Sequence, residues 1–154
     1  SPTTTISSMP MLLEDDINPV FTLNQLGTVY WSLGRHQEAL DAFQRGLDVA
    51  PDSVQVLANM GNMHRELGNI ESARLMMQQG IHHAGDRVPP ALLNNLGLLE
   101  LDVRNYDAAM ELFEKALHQH NLEMTMALSV QGESVTTDGS SVAETIRNNI
   151  RKVE

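Results

Sequence analysis

Cysteine is absent from this chain of 154 residues. That excludes disulfides, thiol catalysis and thiolate metal sites, and it identifies no compartment. Aromatic residues are scarce at 4%, with a single tryptophan, so a core must be built mainly from Leu, Met, Ala and Val. Cations are also few: 10 Lys and Arg stand against 20 Asp and Glu, a formal net charge of −10. Phosphate neutralisation needs clustered Lys and Arg, so no nucleic-acid partner is expected. No apolar run approaches the ~20 residues of a membrane-spanning helix, and no intact secretory signal is visible. Nucleophile motifs, phosphate loops and zinc-protease signatures are missing too. The expectation is a non-enzymatic chain with no cofactor and no bound metal. Its Ser/Thr-rich opening, residues 1–8, fits an expression remnant, a flexible arm or the end of a processed targeting region. The expected location is intracellular and soluble, with an organelle interior after targeting-peptide removal as the alternative.

What the chain does contain is a period. Gly27, Gly61 and Gly97 sit in near-identical contexts: Leu23-Asn24-Gln25-Leu26-Gly27, Leu57-Ala58-Asn59-Met60-Gly61 and Leu93-Asn94-Asn95-Leu96-Gly97. The gaps are 34 and 36 residues. Twelve residues after each glycine comes alanine (Ala39, Ala73, Ala109), and four further on a large apolar residue (Phe43, Met77, Phe113). A period of this length marks stacked supersecondary units, of which about three are needed to bury a continuous core.

These positions resemble the tetratricopeptide repeat, a helix–turn–helix unit with small residues where its two helices touch. The first repeat carries Leu23, Leu26, Gly27, Tyr30, Ala39, Phe43 and Pro51 on motif positions. The second departs at His64 in the aromatic slot and Gly85 for proline; the third departs at Glu100 and Asn121. The resemblance covers roughly residues 18–120 and implies an all-α, right-handed superhelix of three repeats.

The expected organisation is an N-terminal arm (1–17), repeats at 18–51, 52–85 and 86–121, a degenerate cap and linker (122–140) and a C-terminal amphipathic helix (141–154). Within the arm, an apolar patch, Met9 to Leu13, precedes the acidic triplet Glu14-Asp15-Asp16. The patch suits docking on the first helix. Asn18-Pro19 reads as a helix start, with an N-cap side chain followed by proline at the first helical position. Gly34, Gly68 and the Arg104-Asn105 pair should end the first helix of each repeat, and the second helices should span 36–49, 70–83 and 106–118. The longer connector at 84–90 accounts for the wider gap. Gly46 and Gly80 lie in matching slots of the second helices, where glycine costs about 1 kcal/mol against alanine, which suggests close helix contact. In segment 122–131 the apolar residues alternate as in a strand, yet they also form a passable helical stripe; a capping helix is favoured. Ser141-Val142-Ala143-Glu144 reads as a capping box opening the last helix. Its stripe of Val142, Ile146, Ile150 and Val153 either caps the solenoid or binds another subunit.

The resemblance also implies a concave groove lined by equivalent slots of the first helices. These are Phe21, Asn24, Thr28 and Trp31; Gln55, Ala58, Asn62 and Arg65; and Ala91, Asn94, Leu98 and Leu101, with Gln25, Asn59 and Asn95 beside them. Amide side chains donate and accept, so a column of them can grip an extended backbone. Alternatively, they bridge neighbouring helices. Trp31 and Phe21 form an apolar floor at one end of the groove, or Trp31 packs under the arm. The clamp by which one subfamily holds acidic chaperone tails is largely missing, because its cation slots carry Asn24, Ala91 and Asn95. His82-His83 and His118-Gln119-His120 fall at helix C-termini, where the dipole favours a partial positive charge. The expected function is a protein-binding adaptor that holds a partner segment in the groove. The alternative is a structural or assembly subunit docked through its terminal segments.

Overall fold

The computed structural model describes residues 18–131 and 140–153. Seven helices are placed among them: α1 (Pro19–Ser32), α2 (His36–Val49), α3 (Val54–Glu66), α4 (Ile70–Ala84), α5 (Pro90–Asp102), α6 (Tyr106–Gln131) and α7 (Ser140–Arg151). No strand occurs among the described residues. α1 begins as its sequence dictates: the Asn18 side chain accepts from the backbone N–H groups of Val20 and Phe21, ahead of Pro19. The readings placed on the arm lie outside the described residues.

Helices pair as α1/α2, α3/α4 and α5/α6, and each pair stacks on the next. One device makes all three turns. Gly34 and Gly68 adopt positive φ (71° and 77°), and Arg104 does the same at 61°. The amide after each turn residue reaches back to a carbonyl five residues earlier: Arg35 to Tyr30, Asn69 to His64 and Asn105 to Glu100, at 2.8–2.9 Å. This Schellman geometry satisfies carbonyls that the ending helix leaves open. The same residues meet through their side chains. Arg35 lies over the Tyr30 ring, Asn69 approaches His64, and Asn105 donates to Glu100 at 3.0 Å.

The three periodic glycines let the helices of each pair close. A Cβ on Gly27 would lie 2.5 Å from the Phe43 ring, one on Gly97 2.5 Å from the Phe113 ring, and one on Gly61 2.8 Å from Met77 Cγ. Phe43, Met77 and Phe113 are fully buried. Between pairs, the glycines of the second helices face the next first helix, at looser spacing. A Cβ on Gly46 would meet Val56 at 3.4 Å, and one on Gly80 would meet Leu92 at 3.0 Å.

Stacking uses a fixed triplet on each first helix: Val56, Met60 and Met63 on α3, then Leu92, Leu96 and Leu99 on α5. Ile146 and Ile150 of α7, with Val153 just past its end, repeat the spacing, and α7 packs on α5 and α6. α7 therefore sits as the first helix of a fourth repeat. Arg147 and Arg151 occupy its positions for packing a second helix, and both are exposed, so this face of α7 is polar. On α1, the first helix among the described residues, the equivalents Leu26 and Val29 are exposed.

Three sequence expectations change. Segment 122–131 is helical, but it continues α6, which runs 26 residues, and the cap is α7 instead. The two extra residues of the wider gap do not both fall in the connector; one lengthens α4 to 15 residues against 14 in α2, and one lies between α4 and α5. α7 starts at Ser140, so Ser141 lies in its first turn, where its carbonyl accepts from the Thr145 hydroxyl.

Glu100, in the aromatic slot of the third pair, is buried and accepts from Arg74 Nε at 2.8 Å as well as from Asn105. The Arg74 bond holds its carboxyl below the ordinary glutamate value, against the opposing effect of burial. A depressed folded-state pKa contributes stability in full above the unfolded value, and that stability is lost as pH falls through the folded value. Thermal denaturation should show stability dropping in acid below about pH 4.5, less steeply in Glu100→Gln, which should cost about 2 kcal/mol at neutral pH. Urea denaturation should show Arg104→Gly stabilising by about 1 kcal/mol, because only glycine adopts positive φ without strain. Gly46→Ala has room for its methyl and should stabilise by up to about 1 kcal/mol.

Candidate interaction groove

The first helices α1, α3 and α5 touch one another in sequence and line one face of the stack. Phe21, Asn24 and Gln25 from α1, Gln55, Ala58 and Asn59 from α3, and Ala91 and Asn95 from α5 surround a single cleft of about 380 Å³. Residues predicted from three separate repeats thus meet in one place. Equal spacing along each helix, with stacking in register, brings them there.

The amides divide into two sets. Asn59 Nδ2 donates to Asn24 Oδ1 at 2.9 Å, linking α3 to the buried Asn24 of α1. Asn149 Nδ2 donates to Asn94 Oδ1 at 2.8 Å, linking α7 to α5. These amides bridge adjacent helices. By contrast, Gln25, Gln55 and Asn95 make no side-chain hydrogen bond to another described residue. They leave donors and acceptors facing the cleft, beside the exposed Phe21 ring.

The other end of the face differs in chemistry. Trp31 Nε1 donates to Glu66 at 3.0 Å, and Arg65 Nε donates to Asp102 at 2.9 Å while approaching Asn62. Arg65, the one cation among the predicted groove residues, therefore meets a carboxylate already in place. Thr28 returns its hydroxyl to the Asn24 carbonyl at 2.9 Å. Trp31 stands about 15 Å along α1 from Phe21, so the two do not form a shared floor. Leu98 and Leu101 are half-buried against the cluster that holds Ile146, rather than open to the groove.

Glu66, Asp102 and Asn149 were not foreseen. Asn149 had a signal: it precedes Ile150 as Asn59 precedes Met60 and Asn95 precedes Leu96. The two acids share a slot, five residues after Gly61 and Gly97, but their partners come from neighbouring repeats, which that slot does not name. Among the described residues no three His, Asp or Glu side chains converge as a metal site would require, and no helix is long and apolar enough to cross a membrane.

Family models described as tetratricopeptide repeat match residues 21–82 and 91–118. A curated relative, the protein CTR9 homolog of Arabidopsis thaliana, is 28% identical over 127 residues, covering 72% of this chain. The chain spans only 11% of that relative's length. Among solved structures, the TPR2B domain of yeast Sti1 in complex with pHsp70 superposes with a TM-score of 0.69 at 15% identity, covering 88% of this chain and 95% of that one. The first such domain of Spaghetti (RPAP3), bound to the HSP90 peptide SRMEEVD, gives 0.64 at 16% identity, covering 88% and 90%. The Sgt2 domain of Aspergillus fumigatus gives 0.62 at 19% identity, covering 88% and 82%. With its glycine-closed helical pairs, its family matches and the fold it shares with these domains, the chain belongs to the tetratricopeptide-repeat family.

Proposed function

We propose that this protein is a non-catalytic interaction module that holds an extended segment of a protein partner across α1, α3 and α5. The carrying observation is the cleft at Phe21, where Gln25, Gln55 and Asn95 remain unbonded to described residues. Free amides can pair with a partner's backbone, and Phe21 can cover an apolar side chain. The HSP90 peptide bound to one structural neighbour and the pHsp70 complex of another agree with this use of the fold.

The partner's chemistry differs from theirs. Among the described residues no Lys or Arg lines the cleft, so an acidic tail finds no counter-charge. The favoured segment is uncharged, with an apolar side chain for Phe21. A second reading, a subunit docked through its ends in a larger assembly, draws on the exposed Leu26 and Val29 of α1.

Peptides selected from a neutral display library should lose about ten-fold in affinity when Asn95 or Gln55 is replaced by alanine, about 1.4 kcal/mol. The SRMEEVD peptide should show no micromolar binding in the same titration. Unchanged affinity in both variants would remove the groove and turn attention to the ends of the stack.

A further inference from the structure

Two departures from the repeat's regular helix lengths border one surface away from the groove. The first is the longer α4 with its connector; the second is the overrun of α6. Between them run two clefts of about 580 and 760 Å³ that share Gln119. Ile81, Val88 and Leu112 floor the first, and Leu122 and Met126 the second. Leu122 and Met126 stand in adjacent turns of α6, and Met126 is 60% exposed. From Leu112 to Met126 the floor extends about 21 Å, which accommodates roughly four turns of a partner helix.

The rim is acidic. Glu111 is neutralised by its ion pair with Lys115. Asp86, Glu114 and Glu123 then face Arg87 alone as the opposing charge. This balance chooses among occupants. The arm's apolar patch is followed by Glu14-Asp15-Asp16, and a second copy of the chain would bring another net −10. Both add negative charge to a negative rim.

We propose that this cleft is a second docking surface, for an amphipathic helix of another protein with Lys or Arg flanking its apolar stripe. It is independent of the groove. Leu122 and Met126 would take apolar anchors at helical spacing, and Glu114 and Glu123 would set partner choice and the rate of encounter.

The test uses two fluorescein-labelled helical peptides of about 18 residues with the same leucine stripe at i, i+3, i+4 and i+7; one carries Lys at its polar positions and the other Glu. In anisotropy titrations the Lys peptide should bind the full chain at least ten-fold more tightly than the Glu peptide, and more weakly as salt rises. Met126→Glu should weaken it about ten-fold and Glu123→Gln several-fold, while the groove variant Gln55→Ala leaves it unchanged. Circular dichroism and sedimentation of Met126→Glu accompany the titrations. Equal affinity for the two peptides, indifference to Met126→Glu, or loss on Gln55→Ala would each overturn the proposal. So would a dimer of the parent chain that Met126→Glu dissociates, since the occupant would then be a second copy.

Discussion

Within each pair, a glycine on the first helix admits a large side chain from the second, and the rest of the described structure is built around that contact. Gly27 receives Phe43, Gly61 receives Met77 and Gly97 receives Phe113. That contact sets how each first helix is rotated about its axis. Rotation in turn decides which residues face the next pair and which face the groove. Val56, Met60 and Met63, and their counterparts on α5, stack because the glycine side is already taken. Asn59 and Asn95, one residue before Met60 and Leu96, are left at the groove. With six aromatic residues in the whole chain, placing two phenylalanines under glycines commits much of its aromatic surface to this contact.

Much of this was legible in the sequence because the repeat supplies three readings of each position. The helix starts at Asn18-Pro19 and the stops at Gly34 and Gly68 follow from local chemistry, and the second helix at His36–Val49 matched its expected span. The α6 overrun was harder. Its residues after 121 alternate enough to resemble a strand as well as a helix, and the structure makes them a continuation of the preceding turns rather than a separate cap. The groove residues were found as a set, but their roles were not. Whether an asparagine bridges helices or stays free depends on what the neighbouring repeat presents. Asn24 has Asn59 across from it, and Asn94 has Asn149, from a helix that lies 55 residues on. No single-repeat pattern carries that information.

The molecule joins regularity in its core to irregularity at its edges. Each glycine–aromatic or glycine–methionine contact is local, and each stacking triplet involves only adjacent pairs, so stability is close to a sum of units and interfaces. Departures can then be placed at the periphery with little effect on the stack. The longer connector after α4, the extended α6 and the charged outer face of α7 are all of that kind. Glu100 is the exception, a charge taken into the body of the third pair and held by Arg74 and Asn105. It replaces an aromatic ring with a polar network that ties the second pair to the third.

The claim that the glycine contact positions everything else is tested most directly by a double-mutant cycle at Gly97 and Phe113, read by urea denaturation. Gly97→Ala alone should cost about 2 kcal/mol, because the added methyl meets the Phe113 ring. Phe113→Leu alone should cost about 1 kcal/mol through imperfect filling of the site. Because leucine withdraws the ring atoms that collide, the account predicts that the double variant is more stable than the sum of the two losses, by about 1 kcal/mol. Strict additivity would show that Gly97 and Phe113 act independently, and would contradict the view that their contact fixes the register of the stack.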